Sequence, residues 1–150
     1  MALLIFCACG GGGKDSPADE VDEPFTVSFN LDFGDNAFLI LEDGEYLPLI
    51  VENRTDIDYT IDASLLVNCP QVDYSGSILE TQSSVEAGAS VSVEFELQRE
   101  LLLVEGNSSK CQVTPQVSTH NTNGDEVQSE GKSIWIDPSQ SPMKIFRGVE

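Results

Sequence analysis

The stretch Tyr59-Thr60-Ile61-Asp62-Ala63-Ser64-Leu65-Leu66-Val67-Asn68-Cys69 decides the fold class. Tyr59, Ile61, Ala63, Leu65, Val67 and Cys69 fall on one phase of a period of two, and Thr60, Asp62, Ser64 and Asn68 on the other. That alternation is a β-strand with one buried face, which Pro70 ends. The same period recurs on both sides. Phe25, Val27, Phe29, Leu31 and Phe33 alternate with polar residues, as do Val91, Val93, Phe95 and Leu97. Cys111, Val113, Pro115 and Val117 share a phase further on.

Shorter strands fit between these. Ala37 to Glu42, Tyr46 to Glu52, Ser77 to Thr81, Glu126 to Ile136 and Met143 to Phe146 have the composition, the last as a closing edge strand. Pro48 points to an edge or a bulge, because proline cannot donate to a ladder. Gly34-Asp35-Asn36, Asp43-Gly44, Asn53 to Asp56 and Glu86-Ala87-Gly88-Ala89 are turns, and Asn123-Gly124 predicts a two-residue type I′ hairpin. Arg99 to Val104 fits a strand or one helical turn. No stretch has the period of an amphipathic helix. About seven to nine short strands with frequent turns predict an all-β, antiparallel sandwich of two sheets. The strands lack the aromatic girdles of a membrane barrel.

The formal net charge is −19, and it is unevenly placed. Residues 1–96 hold 19 of the 26 acids and two of the seven bases, Lys14 and Arg54. Such a chain repels phosphate backbones, so nucleic acid is not an expected partner. The acid excess is first a solvated, repulsive surface, and second a source of oxygen ligands for a divalent cation.

The N-terminus reads differently. Ala2 to Ala8 is an apolar run, Ala8 is small, Cys9 follows it, and Gly10 to Gly13 come next. Phe6-Cys7-Ala8-Cys9 resembles the lipobox of bacterial lipoproteins. The resemblance implies a signal peptide over 1–8, cleavage after Ala8, and a diacylglycerol thioether on Cys9. Phe6 departs from the family's usual leucine, Cys7 is unusual at its place, and no Lys or Arg precedes the run, which suggests that the true start lies upstream. Residues 9–23 then form a glycine-rich, acidic tether, whose 14 residues after Cys9 span about 20 Å as a coil. The domain occupies 24–150. Gly10 beside the anchor is similar to outer-membrane lipoproteins and implies the cell envelope, with the membrane as partner through the lipid. The apolar run is too short to cross a bilayer.

On that resemblance Cys7 leaves with the signal and Cys9 carries lipid, leaving Cys69 and Cys111 as an even pair in an oxidising compartment. Both sit on inward phases, one ending its strand and the other beginning its own, so a structural disulfide is expected. No Cys-x-x-Cys or ligand set suggests redox or metal chemistry.

Leu49-Ile50-Val51-Glu52-Asn53-Arg54-Thr55, the long strand after it, and Val85-Glu86-Ala87-Gly88-Ala89-Ser90-Val91-Ser92-Val93 resemble bacterial immunoglobulin-like modules of the CARDB (cell-adhesion-related) type. The resemblance covers residues 46–120 and implies an immunoglobulin-like sandwich with a binding or spacing role.

Candidate sites are few. His120 is the sole histidine, and no Gly-x-Ser-x-Gly elbow accompanies it, so a surface histidine is expected and no triad. Nothing singles out a carboxylate pair for glycoside hydrolysis. Asp32, Asp35, Asp56 and Asp58 are calcium candidates on loops, beside further clusters of oxygen-bearing side chains at Glu42/Asp43/Glu45 and Asn121/Asn123/Asp125, but none fits an EF-hand. Turn geometry accounts for most of them. No other cofactor is expected. Trp135, between Ile134 and Ile136, is assigned to the core; exposed, it would stack on a sugar or a protein partner. The expected function is a non-catalytic binding or accessory module on a lipid anchor, with a calcium-stabilised adhesion or glycan-binding module as the alternative. A partner can also join by strand addition at a free edge.

Overall fold

The computed structural model describes residues 23–120, 124 and 126–148. Cys7, Cys9, the signal, the tether up to 22, and Asn121, Asn123 and Asp125 lie outside them. Among the described residues there are ten strands: β1 (Phe25–Phe29), β2 (Phe38–Leu41), β3 (Tyr46–Asn53), β4 (Tyr59–Cys69), β5 (Tyr74–Val85), β6 (Ser90–Glu96), β7 (Cys111–His120), β8 (Glu126–Glu130), β9 (Ile134–Asp137) and β10 (Met143–Arg147). Seven make one antiparallel sheet in the order β2-β10-β9-β7-β4-β5, with β8 also on β7; the other three make a second sheet, β1-β3-β6. The chain is an all-β, immunoglobulin-like antiparallel sandwich. Among the described residues no helix is long and apolar enough to cross a membrane.

The alternation in the sequence becomes the core. Ile61, Ala63, Leu65, Val67 and Cys69 of β4 are buried, facing Leu47, Leu49 and Val51 of β3 and Val93 and Phe95 of β6 in one cluster. Cys69 and Cys111 form a disulfide, with Cα atoms 4.3 Å apart on the neighbouring strands β4 and β7. It staples two strands of the same sheet at one end of the sandwich.

Several expectations change. Pro48 lies in the central strand of the small sheet, not at an edge. Its carbonyl accepts from Asn30 N–H at 2.9 Å, so its missing donor points past Phe29, where β1 has ended and no ladder bond is lost. The strand from Phe25 stops at Phe29, although Leu31 and Phe33 continue onto the core as a loop. The stretch around Ser77 to Thr81 grows to twelve residues, because β4 supplies a long ladder. Ser64 of β4 stands opposite both Leu79 and Glu80, a bulge that places Leu79 at φ 57°. Arg99–Leu102 and Val104–Gly106 are 3-10 turns. Met143 to Arg147 pairs on both sides, and β2 takes the edge.

The β7–β8 hairpin forms, but Glu126 pairs with His120, one residue away from the register a two-residue Asn123-Gly124 turn imposes. Its return strand is split at Gly131-Lys132-Ser133 into β8 and β9. Gly131 approaches the Val27 carbonyl so closely that a Cβ there has no room, and its N–H donates to Pro115 at 3.0 Å.

Candidate binding face

The core fixes what points outward. Ile134 and Ile136 of β9, Met143 and Ile145 of β10, and Leu41 of β2 are buried, so the alternate residues of these strands stand on the opposite face of the large sheet. Trp135 is therefore not a core residue. It is half-buried on the outer face, and the two isoleucines take the inner positions assigned to it. Apolar residues on both phases left the choice of face to the partners of β9, which the sequence does not display.

Register aligns the outer side chains in rows. Gln112, Trp135, Phe146 and Phe38 lie across β7, β9, β10 and β2. Asp137, Lys144 and Ile40 form the next row, and Lys110 stands one residue before β7. Strands repeat every ~4.8 Å, so Trp135 and Phe38 are about 10 Å apart across the sheet. The Phe38 and Phe146 ring centroids are 5.8 Å apart at 51°. Phe38 is 36% and Ile40 49% exposed, although both are large and apolar. The Lys110 ammonium lies 4.0 Å from the Phe146 ring centroid and the Lys144 ammonium 4.6 Å from that of Phe38. Both cations rest against the negative faces of the rings.

Asp137 sits between the lysines. Burial opposes its ionisation, but the Ser139 hydroxyl and N–H and the charges of Lys110 and Lys144 outweigh it, so its carboxyl titrates below its ordinary value. The Ser139 N–H donates to its Oδ1 at 2.9 Å.

A recess of 560 Å³ continues the face beyond Lys110 and Asp137, with Gln71, Ser108, Ser109 and Ser139 in its lining. The Ser109 hydroxyl contacts Gln71 Oε1. Its walls are pinned from below. The disulfide joins Cys69, two residues before Gln71, to Cys111, next to Lys110. Buried Asn107 donates to the carbonyls of Leu102 (3.0 Å) and Ser109 (2.8 Å). Arg99 Nε donates to Pro138 O at 2.6 Å, and this holds the turn that carries Ser139.

The other candidates do not gather. Asp32, Asp35, Asp56 and Asp58 are exposed. Asp32 accepts from Gly34 N–H at 3.0 Å and Asp58 from Ala87 N–H at 2.9 Å, which are turn duties. No group of three or more His, Cys, Asp or Glu arranged to hold a metal occurs among the described residues. His120 is exposed on a 410 Å³ recess with Asp58 and Asp62. A third recess, of 720 Å³, is lined by the core-packed Val27, Phe29, Leu31, Phe33 and Ile134, with Arg147 5.2 Å over the Phe33 ring.

No protein-family model matches the sequence. No curated protein matches it either. Among solved structures it is similar to Bacteroides uniformis beta-glucuronidase 2 covalently bound to cyclophellitol-6-carboxylate aziridine, at 12% identity and TM-score 0.40, over 76% of this chain and 13% of that one. It is also similar to the C-terminal domain of wzt, at 14% identity and TM-score 0.39, over 84% of this chain and 71% of that one. The chain thus spans about an eighth of the length of the glucuronidase.

Proposed function

We propose that this chain is a lipid-anchored envelope protein whose sandwich is a non-catalytic binding module, and that it binds through the outer face of the seven-stranded sheet. The anchor is the diacylglycerol on Cys9, and residues 10–23 hold the domain off the membrane. The observation that carries the binding role is the alignment of Trp135, Phe146 and Phe38 on one open face, with Lys110 and Lys144 over two of the rings. A domain with no task for that face gains solubility from polar side chains there, and most of the sandwich surface has them. Aromatic side chains are the commonest anchors of recognition surfaces, because they bury large area at little entropy cost.

Two measurements test the two halves. Metabolic labelling with an alkyne fatty acid is expected to mark the wild-type protein and not Cys9→Ser; labelling of both, or of neither, removes the anchor at Cys9. The Cys9→Ser chain is expected to be retained on washed envelope material from producing cells, and the combined Phe38→Ala, Trp135→Ala and Phe146→Ala variant is expected to lose that retention. Equal retention of both removes the face.

The described residues also favour binding over a metal-stabilised module. Asp32 and Asp58 are committed to turn hydrogen bonds, and the calcium candidates sit on separate loops.

A further inference from the structure

We infer that the ligand of this face is an acidic glycan, a short run of pyranose rings carrying carboxylates. The inference rests on the binding role proposed for the face and adds its chemistry. Three features carry it together.

The first is the row of rings. Trp135, Phe146 and Phe38 lie across three adjacent strands, in a strip about 10 Å long. A pyranose has an apolar C–H face, and the row offers it aromatic faces to stack on.

The second is the charge. The chain carries −19, yet Lys110 and Lys144 both project onto this face with one carboxylate, Asp137, between them. A neutral glycan has no use for two ammoniums laid over the rings it must stack on. An anionic one draws them off. A charge-assisted hydrogen bond to a carboxylate is stronger than a cation–π contact at an exposed site. The exchange therefore favours the carboxylate and bares the rings for stacking. Charges elsewhere on the chain are screened beyond about 8 Å at physiological ionic strength, so a short acidic oligomer feels the local lysines.

The third is the adjoining recess. It is shallow and open to solvent, and its lining offers the Ser108, Ser109 and Ser139 hydroxyls and the Gln71 amide. Hydroxyls and amides both donate and accept, as sugar hydroxyls require. The disulfide, Asn107 and Arg99 hold these groups in place before a ligand arrives.

Trp135 is the only tryptophan in the chain, so its emission reports on the site itself. The test titrates the full chain carrying Cys9→Ser with tetragalacturonate and with neutral cellotetraose, following Trp135 emission and, in parallel, heat by calorimetry. Tetragalacturonate is expected to saturate the site at a concentration about tenfold or more below cellotetraose, the worth of one charge-assisted contact. Lys110→Ala with Lys144→Ala is expected to erase that difference, and added salt to weaken the acidic oligomer alone. Equal binding of both oligomers, or tetragalacturonate binding unmoved by the lysine substitutions, overturns the acidic class and leaves a binding face. No heat and no emission change with either oligomer, while the triple alanine variant still loses envelope retention, overturns the glycan and keeps the face. If retention is also unmoved, the proposed function falls with it.

Discussion

The Asn53 side chain donates to the carbonyl of Val85, 32 residues away, at 3.2 Å. The same amide nitrogen lies 2.7 Å from Ile57 O and 3.1 Å from Glu86 O, so its two hydrogens are shared among three carbonyls, while Oδ1 accepts from the Thr55 N–H and hydroxyl. Asn53 is fully buried. It ties the turn after β3 to the end of β5, and so the small sheet to the large one. Asn53→Ala is expected to destabilise the domain by about 1–3 kcal/mol, because the buried Val85 carbonyl and two partly buried carbonyls lose their donor. Urea unfolding followed by Trp135 emission measures it; a loss under about 0.5 kcal/mol contradicts the role.

Cys69 and Cys111 close a loop with a sequence separation of 42. Replacing both by alanine is expected to cost about 2–4 kcal/mol, much of it through a less constrained unfolded chain. The bridge also holds the walls beside Gln71 and Lys110, so ligand affinity is expected to fall in the double variant even where it remains folded. Calorimetry below the transition temperature separates the two effects.

Asp137 carries a pH signature. Its folded-state carboxyl titrates below its ordinary value. The stability it contributes is thus present above the ordinary carboxylate pKa and is lost as pH falls through the lower folded value. Asp137→Asn is expected to be less stable than wild type at neutral pH, by under about 1 kcal/mol given its partial exposure. The gap is expected to close in the acid range. Thermal melts of both proteins across pH check it; a gap that widens on acidification contradicts the sign.

Ser129 on β8 is buried, and its hydroxyl has no partner among the described residues. Ser129→Ala removes an unsatisfied group at little cost in volume. It is expected to raise stability by about 1 kcal/mol, read as a higher denaturation midpoint at unchanged m-value.

The sandwich was legible wherever one strand face was buried and the other wet. Tyr59 to Cys69 and Cys111 to Val117 alternate, and the core follows them except that Tyr59 is half-buried and Ser64 is buried. The strands that failed to read cleanly are those whose limits depend on neighbours. Tyr74 to Val85 is polar on much of both faces and is a strand because β4 offers it a ladder. Leu31 and Phe33 keep the strand period without strand pairing, because apolar side chains reach the core from a loop as well. The binding face was hidden for the same reason. Phe38, Trp135 and Phe146 are far apart in sequence, and only the order β2-β10-β9 brings them side by side. Trp135 was the one legible signal, since it stands between two isoleucines that cannot share its face.

The most direct test of the central claim is the accessibility of Trp135 when the protein is bound. Collisional quenching of its emission by iodide is compared for the Cys9→Ser chain alone and saturated with solubilised envelope polysaccharide from producing cells. Occupation of the outer face predicts that bound protein is markedly protected from the quencher. Retention of the polysaccharide with unchanged quenching of Trp135 would place binding elsewhere on the sandwich and contradict the account.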